Sequence, residues 1–522
     1  MSSSITLDQL DNSTEKIARL PLLRFFFFGL LLPLGFAPFH LPGLSILGVA
    51  LFYYQLHKQA NAAFLSGLLF GLGFFGLGIS WIYISIHDYG HMHGSIAALI
   101  TLAFLLYLAA FPALLAACFC RMNSKPRTIY SCLLFSSLWI LAEYSRANFL
   151  TGFPWLLLGY GQFDSPIKYV LPLLGVYGAS FVCCFAACLL ATFALRHDAK
   201  KTLFLIASII LILLPQSLQS VRWGTESKTP LTVGIIQANL SMRDKWDETL
   251  FWQLLDRYQH DAEALLGLQL IVLPESAIPL PPSYVNDFLS NLNEEAEKAG
   301  SAILLGIPQP TATSEDYYFN SLIGIGKAQG SYIKQHLVPF GEYIPKPFIQ
   351  ASNWLGVPEA NLKPGRKMQA QVTVHQHPVA SLICYEIGYG DLLRQQLPAA
   401  EWIVSISDDG WFGRSLAPYQ QQQMAQVLSL ESARYQVVAN NDGLSSIINT
   451  RGDVLSSLPA FSDGLLKSAI YPSTGSTPWV YFGDMPILIF SLLIIMSGLI
   501  YQKDRIKAIA AKHKRRYPYQ PY

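Results

Sequence analysis

The sequence predicts two architectures in one chain: a multi-pass α-helical membrane domain of about eight transmembrane helices, and an α/β domain in water. Three observations predict this. Only 13% of the 522 residues are charged and 52% are hydrophobic, whereas soluble domains carry about 25% charged residues. The deficit is local: residues 22–215 hold long apolar runs, while 230–475 have ordinary soluble texture, which separates a lipid part from a water part. Within the second part, short β-branched runs alternate with helical patterns, the mark of helices packed on sheet faces.

A bilayer core needs about 20 apolar residues per helix. Candidate spans lie near 22–38, 43–57, 62–85, 95–119, 128–145, 167–194, 202–219 and 484–501. Residues 1–20 are polar, with no small-residue cleavage pattern after the first apolar run, so a cleavable signal is not expected. Cations sort the spans. Lys16, Arg19 and Arg24 flank the first, Lys58 follows the second, Arg121, Lys125 and Arg127 the fourth, and Arg196, Lys200 and Lys201 the sixth. The tail carries Lys503, Arg505, Lys507, Lys512, Lys514, Arg515 and Arg516. The positive-inside rule puts both termini in the cytoplasm. The segment after seven spans then lies on the outer face. The domains are 1–219 with seven spans, 220–483 in water, and 484–522 with the last span and a basic tail. Glu143 and Arg146 stand one turn apart in the fifth span and are expected to pair. Paired intramembrane charges or broken-helix repeats of a transporter are absent from the pattern.

In the water part, 231–240, 268–276, 301–309, 319–330, 379–387, 401–410 and 435–443 read as strands bounded by Gly, Pro or Asn. Helical patterns occupy 248–266, 283–299, 390–398 and 418–434. The net charge of +2 says little about partners, and the lack of a basic stripe with interleaved aromatics argues against a nucleic-acid partner. His87, His91 and His93 include a His-x-His spacing. No Cys or second carboxylate nearby completes a metal site, so none is expected.

Of seven cysteines, six lie in or beside apolar segments, where a thiol acts as a small hydrophobe. Cys384 is the one in the water domain, at the end of the strand LICYE. Glu275 ends a strand in LPES, and Lys334 lies in SYIKQHLVPFGEYIP. Taken singly, each has an ordinary reading: a capping Glu, a solvated Lys, a packed Cys. Together at strand ends they form an acyl-transfer set. A Cys attacks as thiolate, a Glu takes its proton, and a Lys stabilises the oxyanion. No metal or organic cofactor is required.

The strings around these residues resemble the nitrilase superfamily, whose set is Glu, Lys and Cys in that order on a four-layer α-β-β-α sandwich. They resemble most its membrane branch, the apolipoprotein N-acyltransferases, in GFAPF (35–39), SWIYISIHDYG (80–90), TGFPWLLLGYGQ (151–162), QANLSMRDKW (237–246), LPESAIP (273–279), YIKQHLVPFGEYIP (332–345), ICYEIGYGD (383–391) and DGWFG (409–413). The resemblance spans nearly the whole chain. It implies that Cys384 takes a fatty acyl group from a phospholipid, preferably phosphatidylethanolamine. The acceptor would be the α-amino group of the diacylglyceryl-cysteine that begins an apolipoprotein. It also implies a bacterial inner membrane with residues 220–483 in the periplasm. Glu275, Lys334 and Cys384 fall on the family's catalytic positions. Glu342 falls on a second carboxylate expected to orient the site, and Tyr385 and Glu386 follow the nucleophile as in the family. Trp246 falls on an aromatic expected to shape the substrate route, and Trp411 and Phe412 on an aromatic loop near the mouth. One chain holds a whole site, so a monomer suffices.

The chain departs from the family pattern in three places. Ser407-Asp408-Asp409 stands where Ser-Asn-Asp is common, Pro418-Tyr419-Gln420 and a Gln run stand for a His-containing string, and Asn440-Asn441-Asp442-Gly443 differs from Asn-Asn-Gly. The apolar stretch 340–358 and the aromatic segment 151–162 are expected to face lipid. The rival reading is a membrane-tethered amidase that uses the same three residues with water as acceptor.

Overall fold

The apolar runs fold as a helical unit and the alternating runs as two stacked sheets. The computed structural model describes residues 22–123, 128–245, 247, 249–311, 314–354 and 361–516. Lys16, Arg19, Lys125, Arg127, Trp246 and residues 355–358 lie outside them. Among the described residues, three helices are long and apolar enough to cross a membrane: Gly94–Met122, Pro166–Leu195 and Lys201–Leu218. A fourth results if Ala63–Gly78 and Trp81–Tyr89, bent by 61°, form one span. Helices also stand at the other predicted positions. Leu22–Gly35 and Met485–Ile500 are apolar but short. Pro42–Lys58 has 17 residues, and Thr128–Asn148 has 21. The last of these buries Ser131, Ser136, Ser137, Glu143 and Arg146, polar groups tolerated where neighbouring elements satisfy them. Length and composition alone therefore give three or four spans, fewer than the eight expected.

The water domain contains a six-stranded and a seven-stranded sheet. In the first, Leu231–Gln237, Leu270–Val272 and Ala302–Thr311 run parallel. In the second, His377–Ile383, Trp402–Ser407 and Gln436–Asn440 do the same. Side chains alternate across the first sheet as a strand requires. Ile236, Ile271, Ile303 and Leu305 pack on Phe251–Glu263 and Asn286–Ala299. Their neighbours Val233, Ile235, Leu270, Val272 and Leu304 join the large core that includes Val379, Leu382, Val404 and Ile406 of the other sheet. Ala417–Ser432 packs on the outer side of the second sheet, against the membrane half. This is the α-β-β-α layering.

Among the strands of the two large sheets, three after residue 443 escaped the sequence reading: Ser446–Ile448, Val454–Ser457 and Gly464–Ile470. The last pairs antiparallel with Leu231–Gln237, so the end of the domain closes the sheet that its beginning opened. Gly224–Glu226 likewise pairs with Ser473–Gly475. The chain thus enters and leaves the water domain at one place, beside the helices that tether it. The predicted helix 390–398 is only Gly390–Arg394, because Pro398 cannot continue it.

Candidate active site

Each of the three predicted chemical groups sits just past a strand. Glu275 follows Leu270–Val272, Lys334 follows Ser331–Ile333, and Cys384 follows His377–Ile383. The stacked sheets bring them to one buried place. Lys334 Nζ lies 3.1 Å from Glu275 Oε1 and 2.8 Å from Glu342 Oε1. Asn320 Nδ2 donates to the same two oxygens at 2.7 and 3.0 Å. The other oxygens are also held: the Asp408 N–H donates to Glu275 Oε2 at 3.0 Å, and the Val338 N–H to Glu342 Oε2 at 2.7 Å. Glu342 thus contacts Lys334 directly. Asn320 was missed because it lies mid-strand, with no motif around it.

Burial pushes the Cys384 thiol well above its ordinary pKa; Glu275 and Asp409 add to this, while Lys334 and a hydrogen bond with Ser407 oppose it. Burial therefore favours the neutral thiol form of Cys384. For Lys334, burial pulls downward, but Glu275, Glu342 and Cys384 outweigh it and hold the ammonium well above its usual range. A carboxylate and a charged ammonium beside a thiol form an arrangement that can support proton transfer and stabilise a developing oxyanion.

Cys384 stands on a tight turn. Cys384 has φ of 53°, a left-handed conformation that an L-residue adopts only when its surroundings impose it. Glu386 imposes it. Its buried carboxylate accepts from the N–H groups of Ile383 (2.9 Å), Gln335 (2.6 Å) and His336 (3.0 Å) and from the Tyr332 hydroxyl (3.1 Å). One side chain thus ties the Cys384 turn to the loop that follows Lys334. Burial pushes its pKa up to about 7 despite those donors. Tyr385 points the other way. Its ring stacks on Trp155 at 5.7 Å, and its hydroxyl donates to the Gly152 carbonyl at 3.1 Å. The residue after Cys384 is therefore bonded to the membrane half.

Residues 28–189 match the family described as the apolipoprotein N-acyltransferase N-terminal domain, and residues 232–478 match the carbon-nitrogen hydrolase family. The apolipoprotein N-acyltransferase of Coxiella burnetii is 35% identical over 89% of this chain and 98% of its own length. That of Pseudomonas aeruginosa strain PAO1 is 32% identical over 91% and 95%. The chain belongs to the apolipoprotein N-acyltransferase family. Among solved structures, an amidase of the nitrilase superfamily from Nesterenkonia AN1 is similar at 17% identity and a TM-score of 0.36, over 48% of this chain and 94% of that one.

The positions where the chain departs from the apolipoprotein N-acyltransferase pattern have structural partners. Asp408 forms a buried ion pair with Lys245. The Gln run is a strut: Gln420 accepts from Trp81 Nε1 and Trp155 Nε1 at 3.2 and 3.1 Å, and Gln421 donates to Ser407 at 2.8 Å. Trp411 and Phe412 dock on the bent element of the membrane half. Ser85 donates to the Trp411 carbonyl at 2.7 Å, and Phe412 lies edge-on to Trp81 at 4.8 Å. Trp246 falls outside the described residues. Glu143 and Arg146 do not bond each other as expected. Glu143 accepts from Trp139 Nε1 and the Leu158 N–H, and Arg146 donates to the carbonyls of Phe153, Trp155 and Leu156. The irregular segment that follows this helix leaves backbone groups that need those partners. Among the described residues, no His, Cys, Asp or Glu cluster could hold a metal ion.

Proposed function

We propose that the chain moves a fatty acyl group from a phospholipid to the α-amino group of an apolipoprotein's diacylglyceryl-cysteine, through a thioester on Cys384. The observation that carries this reading is the convergence of Glu275, Lys334 and Cys384 in one buried site whose nucleophile turn is bonded to the membrane half. Glu275 removes the Cys384 proton as Sγ attacks the ester carbonyl. Lys334 stabilises the oxyanion, and Glu342 keeps Lys334 in place. Collapse breaks the ester C–O bond, and Glu275 returns the proton to the leaving lysophospholipid. The acceptor amine then attacks the thioester, Glu275 takes its proton, and that proton goes to the departing sulfur. Cys384 is only 6% exposed, which favours an amine delivered at the membrane surface over water.

In this reading the donor is phosphatidylethanolamine and the enzyme works as a monomer in a bacterial inner membrane. Domains 1–219, 220–483 and 484–522 are a seven-span unit, a periplasmic catalytic domain, and a last span with a cytoplasmic tail. The distribution of Lys and Arg supports this orientation. Phe340, Phe348, Ile349 and Trp411 are exposed apolar residues suited to contact lipid. The test is intact-mass analysis of the purified protein after incubation with phospholipid micelles. A gain of one acyl chain is expected, absent in Cys384→Ser and discharged by a diacylglyceryl peptide. Wild-type protein that gains no acyl mass would refute the reading, and discharge to free fatty acid alone would favour an amidase.

A further inference from the structure

Lys245 and Asp408 form an ion pair whose side chains are 0% and 4% exposed. Burying two charges carries a desolvation penalty that their attraction often fails to offset. The chemistry above calls on neither residue. Both grip the same neighbour. Lys245 Nζ donates to the Glu275 backbone carbonyl at 2.9 Å. The Asp408 N–H donates to Glu275 Oε2 at 3.0 Å. Asp408 is fixed in turn, since its Oδ1 accepts from Asn441 Nδ2 at 3.1 Å and from the Gly410 N–H at 3.2 Å. Its Oδ2 is left for Lys245.

Glu275 needs such support. The parallel pairing of its strand ends at Val272, and Ser276 after it has φ of 46°. Beyond Val272 the Leu273 N–H donates to the Leu304 carbonyl at 2.9 Å, the Pro274 carbonyl accepts from the Gly306 N–H at 3.2 Å, and the Ile278 N–H donates to the Gly306 carbonyl at 3.3 Å, so Glu275 stands on an irregular bend between these bonds and its own carbonyl is held by Lys245. Its Oε1 faces Asn320 and Lys334, while its Oε2 is pinned by the Asp408 amide. A base that takes a proton from sulfur and returns it to oxygen or sulfur needs one orientation throughout. We infer that the Lys245–Asp408 pair is a positioning device for Glu275. It holds the backbone carbonyl from one side and the carboxylate from the other, and it touches no substrate. This inference rests on the reading of Glu275 as the base.

The test separates positioning from simple structural support. Full-length Lys245→Met, Lys245→Met with Asp408→Asn, and Lys245→Arg are compared with wild type. Three quantities are measured: melting temperature, single-turnover acylation of Cys384 from phospholipid micelles, and the pH profile of Cys384 alkylation by iodoacetamide, followed by peptide mass. Lys245→Met strands a buried carboxylate, so it loses both stability and acylation. The double variant removes that charge and recovers the melting temperature. Its acylation stays roughly 100-fold down, the scale of a misplaced catalytic group, and its alkylation profile remains displaced. A double variant that is as stable and as fast as wild type would overturn the inference. Should the double variant not fold, Lys245→Arg decides: stable and slow supports positioning, stable and fast overturns it. A set in which no variant folds also overturns it, since the pair is then a requirement of the fold alone. If wild type takes no acyl group, the functional reading fails by itself, and alkylation still compares the variants.

Discussion

Glu386→Gln isolates the turn that holds the nucleophile. The native carboxylate serves four donors: three backbone N–H groups and the Tyr332 hydroxyl. Glutamine keeps one acceptor oxygen. Placed at Oε1, it still satisfies Gln335 and His336. Its NH₂ then faces the Ile383 N–H, donor against donor, while Tyr332 can rotate its hydroxyl to accept. One buried N–H is orphaned, at about 1–3 kcal/mol, on the residue that precedes the strained φ of Cys384. The penalty depends on pH. The Glu386 carboxyl is raised to about 7, chiefly by burial. The folded state therefore binds its proton more tightly than the unfolded chain does. Wild type gains that stability in full at low pH and loses it as pH rises through about 7. Glutamine lacks this term, so the deficit in melting temperature should be largest near pH 5 and shrink toward pH 8. Acylation of Cys384 should fall by about 10- to 100-fold, because the sulfur is displaced from its approach to the ester. Thermal unfolding in detergent at the two pH values, with single-turnover acylation by intact mass, measures both. A variant with wild-type stability at pH 5 and wild-type acylation would show that Glu386 does not hold the turn.

Gly306→Ala should slow acylation by about 10-fold or more while the protein remains folded, as judged by circular dichroism and intact-mass assay. The added Cβ would meet Ser276 N at 2.5 Å, Pro274 O at 2.6 Å and Glu275 Cα at 2.7 Å, so the Glu275 segment must move. Asp442→Asn should stabilise the protein, and more at pH 8.5 than at pH 5. Burial, then Asp408 and Asp409, push the Asp442 carboxyl up to about 8, with Lys245 pulling back. Its charged form therefore opposes folding as pH rises through about 8. Melting temperatures of the two proteins across that range check the sign, and a gain confined to low pH would contradict it.

The chemical groups were legible because they come from short, ordered strings, and strand ends are where α/β folds collect chemistry. Their orienting groups were harder to see. Asn320 lies mid-strand and Lys245 inside a polar string, so neither advertises its burial in sequence. Both become visible only when the two sheets are stacked. Ser446–Ile448 and Val454–Ser457 were missed because they are three and four residues long, too short for a period to emerge. The helical positions were legible from hydropathy. The number that satisfy an apolar length test was not, since Thr128–Asn148 carries polar residues whose partners lie elsewhere in the chain.

Those partners explain why the two halves are one protein. Leu150, Thr151 and Gly152 have positive φ in succession, at 48°, 81° and 85°. Left-handed backbone of this kind persists only when the surroundings impose it. From Thr128–Asn148, Arg146 and Glu143 hold the segment through the carbonyls of Phe153, Trp155 and Leu156 and the Leu158 N–H. The segment so shaped presents the Gly152 carbonyl and the Trp155 ring to Tyr385, the residue after the nucleophile. Gln420 ties the same Trp155 to Trp81 and to the Gly78 carbonyl. The buried charges of the fifth helix are thus structural members of the site, although neither touches it. A residue pair that sequence spacing assigns to a local ion pair instead fixes the floor on which the nucleophile's turn stands. A catalytic domain detached from its helices would lose that floor even with Glu275, Lys334 and Cys384 intact.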